Sequence, residues 1–357
     1  MGFNIIAAAL WRTALRSHAS QHLLTLTLLI AAPTLGLAQT APKSVVEREA
    51  YLMGTLLRAR VWASSGAEGF EAIESGFAEV RRLDGVLNSW REDSELSALN
   101  ASLPGQPMPV SAELFGYLQE LQRWRELSGG AFDPAVGALV DAWGLRGVGR
   151  RPSELEVQQA LVAAGHGAFK LDETAQTVTR MVAGARLTAG GFGKGVGLRA
   201  LVGALRMAGI ETAFLDFGGQ VQAVGRAPEG VWRIGIAHPL LRTEVAALIR
   251  LSEGSAATSG ASERNFEIAG QRVGHILDPR SGKPVSAWGS VTVVALDPVV
   301  ADVLSTALYV MGPEEGLNWA ESWEEIGALF LVLEAGGLRL SWNAAMEPFL
   351  EREGRAE

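Results

Sequence analysis

Asp302, Ser305 and Thr306 stand at i, i+3 and i+4 in the run VADVLSTALYVMG, Val300 to Gly312. In a helix that spacing sets three oxygen-bearing side chains on one face, about one turn apart. Two chemistries suit it. A hard cation such as Mg2+ takes oxygen ligands and shares its shell with substrate phosphates, so one carboxylate with hydroxyls and a carbonyl makes a partial cage. Alternatively Asp302 answers a helix dipole while the two hydroxyls bond back to carbonyls of their own helix. The run follows closely on HILDPRSGKPV, His275 to Val285, where a histidine precedes the turn Asp278-Pro279-Arg280-Ser281-Gly282.

A second candidate is the glycine-rich string TAGGFGKGVG from Thr188. Gly191, Gly193, Gly195 and Gly197 fall at alternate positions, which departs from the G-x-G-x-x-G dinucleotide fingerprint, and Lys194 is followed by glycine, not by the Ser or Thr of a phosphate-binding P-loop. Neither named motif applies. The chemistry of such a loop remains: backbone N–H groups can approach a ligand closely, and a helix beginning near Val196 offers its positive end to phosphate. The other reading is a tight turn into a helix with no ligand.

These segments belong to an ordered series: WREDSELSALN from Trp90, GGAFDPAVGALVDAWG from Gly129, TAGGFGKGVG, AFLDFGGQVQAVG from Ala213, SGASERNF from Ser259, then the two runs above. In content and order the series resembles the FAD:protein FMN transferase family, the ApbE-type flavin transferases, from about Tyr51 to the end of the chain. The resemblance implies Mg2+-dependent transfer of FMN from FAD to a Thr or Ser hydroxyl of an acceptor protein, a membrane or periplasmic redox protein, with release of AMP. It implies FAD contacts at Met53, Trp90, Ala131, Phe132, Asp133, Thr188, Lys194, His275 and Ile276, and a metal held by Gly191, through its carbonyl, with Asp302, Ser305 and Thr306. His275 and Asp302 are the catalytic candidates it points to. Thr188 departs from the family pattern, which commonly has Asp there. An FAD pyrophosphatase giving FMN and AMP, or a non-catalytic periplasmic flavin-binding accessory protein, would suit the same residues. Read as residues alone, Asp133 also serves as a helix cap, Trp90 and Met53 as core, and Asp216 as structure. Arg264 is a weaker candidate for the phosphates, and Thr258-Ser259-Gly260 only loosely resembles a flavin acceptor string.

Composition sets bounds on all of this. The chain has 357 residues, enough for a substantial core, and a formal charge of −8 with no basic tract, which argues against nucleic acid as a partner. It has no cysteine, which excludes disulfides, thiolate ligands and a lipid-modified N-terminal Cys. Arg12 and Arg16 precede an apolar run, Leu23 to Leu37, that ends at Gly36 and Ala38 in a small-x-small pattern. The run is shorter than a spanning helix and is broken by Pro33, so a signal peptide over residues 1–38 and a periplasmic mature domain over 39–357 are expected. An uncleaved anchor is the competing reading.

The elements that must position these residues can be read coarsely. Thr55 to Ala63 alternates as a strand. Phe70, Ile73, Phe77, Val80 and Leu83 give helical spacing over Gly69 to Leu87, as do Leu114, Leu118, Leu121 and Trp124 over Ala112 to Leu127. Ser153 with Glu156 forms a capping box. Phe169 to Leu171 and Thr177 to Met181 read as a hairpin, Gly197 to Ala208 as a helix, and Pro104 to Pro109 as a loop. Glu211 to Phe217, Gln220 to Gly225, Trp232 to Ala237, Val245 to Leu251 and Ser290 to Ala295 read as strands. The fold class expected is α+β, with mixed, largely antiparallel sheets and packed helices.

Overall fold

The computed structural model describes residues 43–260, 265–268 and 270–351. The expected signal peptide and Arg264 lie outside the described residues. Eight strands form one antiparallel sheet in the order Ser44–Leu52, Thr55–Ala63, Thr212–Phe217, Gln220–Val224, Gly254–Gly260, Gly289–Ala295, Gly327–Glu334, Gly337–Trp342. Alternation gives the sheet two apolar faces. Ala213, Leu215 and Phe217, like Leu57, Ala59 and Val61, meet the helices Gly66–Leu87 and Gly193–Met207. Val291, Val293, Ala328 and Phe330 meet the helix Pro298–Ala320. The intervening residues Val221, Ala223, Val294, Leu329 and Leu331 turn the other way, onto a separate hairpin of Trp232–Ala237 and Val245–Leu251.

Several boundaries move for physical reasons. The first long helix begins at Gly66, because Ser65 caps it by accepting from Glu68 N–H. Phe70 is exposed and sits under the Arg48 guanidinium at 4.8 Å instead of joining the core stripe. Pro107–Pro109, read as loop, pairs with Thr177–Arg180 as an edge strand, a place where proline's missing N–H costs nothing. The capping box of Ser153 and Glu156 is present as read. The helix Pro298–Ala320 is capped by Asp297, carries Pro298 in its first turn, and is broken at Gly312, whose φ of 82° a residue with a Cβ rarely adopts. No helix among the described residues is long and apolar enough to cross a membrane.

Candidate functional site

The glycine-rich string enters its helix earlier than the sequence reading placed it, at Gly193, with Phe192 at the cap position and no side-chain cap of its own. The N–H groups of the first helical turn therefore need partners from elsewhere. One comes from the Pro298–Ala320 helix: Gly195 N–H donates to Asp302 Oδ2 at 2.9 Å, and Lys194 Nζ donates to Asp302 Oδ1 at 2.9 Å. The absence of a side chain at position 195 permits this approach, since a Cβ there would lie 2.5 Å from the Pro298 carbonyl oxygen. Asp302 is buried, so its charge depends on these donors and on the positive end of the helix it faces.

The hydroxyls of the i, i+3, i+4 triplet both turn back to the Asp302 carbonyl, as the second reading expects, but they face different neighbours. Ser305 Oγ donates to the Asp302 carbonyl at 2.9 Å and lies 2.9 Å from Ser259 Oγ, turned toward the Gly254–Gly260 strand. With its single proton given to Asp302, Ser305 accepts from Ser259. Thr306 Oγ1 is 3.4 Å from the same carbonyl, yet it borders the glycine loop: a Cβ on Gly191 would stand 3.3 Å from Thr306 Oγ1 and 3.2 Å from the Phe132 ring. Asp302, Lys194, Gly191, Thr306 and Phe132 are thereby gathered at one junction. Met53 reaches it from the sheet edge, its Cε 3.6 Å from the Cβ position of Gly193 and its Sδ 3.6 Å from that of Gly197. Met53 and Gly54 form a two-residue hairpin turn with φ of 47° and 81°, and a left-handed methionine is strain that the surrounding packing must hold.

The remaining candidates sit in adjoining segments. Asp133 is buried. Its Oδ1 accepts from Ala135 N–H at 2.8 Å and its Oδ2 pairs with Arg125 Nε at 2.6 Å; the next helix starts only at Gly137, with Val136 at its cap position and no side-chain cap, so Asp133 closes a local turn and is not the helix cap the residue types suggested. Ala131 and Phe132 are buried beside it. Thr188 is tied into the same place, because its N–H donates to the Pro134 carbonyl at 2.8 Å. Trp90 is not core: it is 62% exposed, with the Arg146 guanidinium 4.7 Å from its ring centroid and Asp141 holding Arg146 Nε at 3.0 Å. His275 is half-buried, and the Ile276 carbonyl accepts from Val285 N–H at 2.9 Å. Asp216 accepts from Gly219 N–H at 2.9 Å, closing the turn Gly218-Gly219, and burial pushes its carboxyl above the ordinary carboxylate range. Gly195 has a role the residue types did not reveal, because it acts through its backbone. Arg199, which joins Glu120 and Asp297 across three helices, left no motif in the sequence.

A family model described as the ApbE family matches residues 53–330. The chain belongs to the ApbE family. It is 30% identical over 324 residues to an FAD:protein FMN transferase of Vibrio cholerae, covering 87% of this chain and 94% of that protein. It is 32% identical to one of Treponema pallidum, covering 80% and 83%. Among solved structures, the flavin transferase ApbE from Vibrio cholerae superposes with a TM-score of 0.78 at 28% identity, covering 87% of this chain and all of that one. The ApbE protein of Thermotoga maritima gives 0.79 at 28%, with the same coverage. The α+β, largely antiparallel fold expected from the pattern of strands and helices is the fold these ApbE structures share with this chain.

In this ApbE chain a metal would have to be held mainly by oxygen. Among the described residues no group of three or more His, Cys, Asp or Glu is placed to bind one. The Asp302 carboxylate, the Thr306 hydroxyl and the Gly191 backbone meet at the loop, and Lys194 already supplies a positive charge at that carboxylate. Such a donor set suits a hard divalent cation whose shell is completed by phosphate oxygens, and suits a soft metal poorly.

Proposed function

We propose that this chain transfers FMN from FAD to a Thr or Ser hydroxyl of an acceptor protein, releasing AMP, with Mg2+ required. The observation that carries the reading is the junction of Asp302, Lys194 and Gly195 N–H at a helix N-terminus, facing Gly191 and Thr306. Relatives named FAD:protein FMN transferase over most of their length support the same activity. In the reaction the acceptor oxygen forms a bond to the FMN phosphorus, the pyrophosphate P–O bond breaks, and AMP leaves with the bonding electrons. The acceptor hydroxyl proton goes to a base, for which His275 is the candidate. Such a transfer demands positioning and charge neutralisation more than covalent chemistry from the protein.

Asp302, Thr306 and the Gly191 carbonyl would hold Mg2+, which when bound neutralises phosphate charge as a Lewis acid. Ser305, committed to Ser259 and to the Asp302 carbonyl, would fix the rotation of the acidic residue's helix face. Lys194 restrains the Asp302 carboxylate and brings a cation to the glycine loop, where the diphosphate would lie. Phe132 and Met53 would give the flavin apolar walls, with Trp90 at the exposed margin. Export by the N-terminal segment and an acceptor among membrane or periplasmic redox proteins complete the reading. The test is incubation with FAD and Mg2+, with and without an acceptor protein. AMP release with covalent flavin on the acceptor is expected; AMP release with free FMN alone would make the protein a hydrolase, and flavin binding without AMP would make it a binder.

A further inference from the structure

A cavity of about 1050 Å3 lies apart from the junction just described. None of the residues assigned to FAD or to the metal lines it. Its wall carries Arg151, Arg242, Arg272 and Lys283 against one carboxylate among the described lining residues, Glu154. A surplus of cations in one hollow contrasts with a chain whose formal charge is −8. The lining also presents an apolar side chain to solvent: Leu240, at the tip of the Trp232–Leu251 hairpin, is 64% exposed. His238 Nδ1 accepts from the N–H groups of Leu240 and Leu241, each at 3.1 Å, which fixes that tip. The wall also includes Arg272, Val273 and Gly274, the residues that lead directly into His275.

We propose that this cavity is the docking site for an acidic, extended segment of the acceptor protein, so that the hydroxyl to be modified is delivered beside His275. The proposal rests on the transferase reading and names the partner chemistry of that reaction. Three features select a polypeptide over a small anion: the size of the hollow, the exposed Leu240 on a fixed hairpin tip, and four cationic residues drawn from separate segments of the chain. Cations at such a wall act on encounter rate and on the choice of partner, both of which weaken with salt.

The test uses the full mature chain and a fluorescein-labelled peptide of about twelve residues carrying one Thr among Asp, Gly and Ala, long enough to cross a cavity of this size, which takes about four extended residues, and to continue beyond it on both sides. Binding is read by fluorescence anisotropy, beside FAD binding and AMP release. The acidic peptide should bind more tightly than its Asp-to-Asn counterpart. Arg272→Glu with Lys283→Glu should weaken it by about tenfold or more, a change of one decade or greater in Kd, with FAD affinity within about twofold of wild type. Both side chains are exposed, so the fold should tolerate the reversal; Arg272→Gln with Lys283→Gln should give an intermediate loss. Absence of peptide binding, or binding indifferent to the reversal, would overturn the proposal. A parallel fall in FAD affinity would also overturn it by giving the cavity to the cofactor, as would a homodimer that the reversal dissociates. Failure of the wild type to release AMP removes the transferase reading instead, and the peptide measurement distinguishes the two.

Discussion

Replacing Asp302 tests whether one carboxylate both builds the site and works in it. Asp302→Ala removes the acceptor of Gly195 N–H in a buried place, and leaving a buried donor unpaired costs roughly 1–3 kcal/mol. The Lys194 side chain is 32% exposed, so its ammonium can turn to water and adds little to that loss. A net destabilisation of about 2 kcal/mol should lower Tm by about 3 °C, since an unfolding entropy of about 2.1 cal/mol/K per residue gives about 1.5 °C per kcal/mol for a chain of this length. Asp302→Asn keeps an oxygen for Gly195 and should cost about 1 kcal/mol or less. Both variants remove the only carboxylate that the described residues bring to the junction, so AMP release from FAD and Mg2+ should fall by ~100-fold or more in each, the scale of losing charge stabilisation in a transfer site. Calorimetry and AMP quantification on the same preparations separate the effects. An Asn variant with wild-type AMP release would refute the catalytic argument. An Ala variant with wild-type Tm would refute the capping argument.

Gly195→Ala should destabilise by about 3 kcal/mol or more, because its Cβ would meet the backbone of Pro298 and Val299 at 2.5 and 2.6 Å, whereas Gly203→Ala in the same helix meets open space and should stabilise by up to about 1 kcal/mol; urea midpoints compare them. Asp216→Asn should stabilise the protein at pH 7. Burial raises the native carboxyl above its unfolded value, so the native state favours the protonated form, whose contribution is full below the unfolded value and lost as pH rises through the native one; the advantage of Asn should vanish near about pH 3.5. Thr188→Asp should tighten FAD binding by about tenfold, the difference between a charge-assisted and a neutral hydrogen bond, read by flavin fluorescence at saturating Mg2+. Unchanged or weaker binding would mean that the backbone tether to Pro134 is the whole role of Thr188.

The strands that alternate cleanly were legible, and those that do not were not. Thr55–Ala63 shows period two because one face is core. Its neighbour Ser44–Leu52 reads SVVEREAYL and hides at the sheet edge, where Glu47 and Glu49 pair with Arg60 and Arg58 across the strands instead of marking a loop. Gly327–Glu334, GALFLVLE, is buried on both faces, and a continuous apolar run has no period by which to tell strand from helix. Gly254–Gly260, GSAATSG, is a buried strand of small residues, chosen because the Pro298–Ala320 helix lies close against it, with Ser259 meeting Ser305. Its composition alone suggests a loop.

The site was legible in its parts and hidden in its connections. Spacing placed Asp302 and Thr306 on one helical face, and the glycine string announced a close approach, but no local pattern says that position 195 and position 302, 107 residues apart, share a hydrogen bond. That bond depends on two helices packing through a missing Cβ, a tertiary fact. It also dissolves the choice between ligand and cap posed by the triplet. A carboxylate seated at a helix N-terminus is already oriented and paired with a cation before any ligand arrives, and orientation is a property a hard-metal ligand needs. The capping role and the proposed binding role therefore favour the same residue at the same place, and substituting it must disturb both.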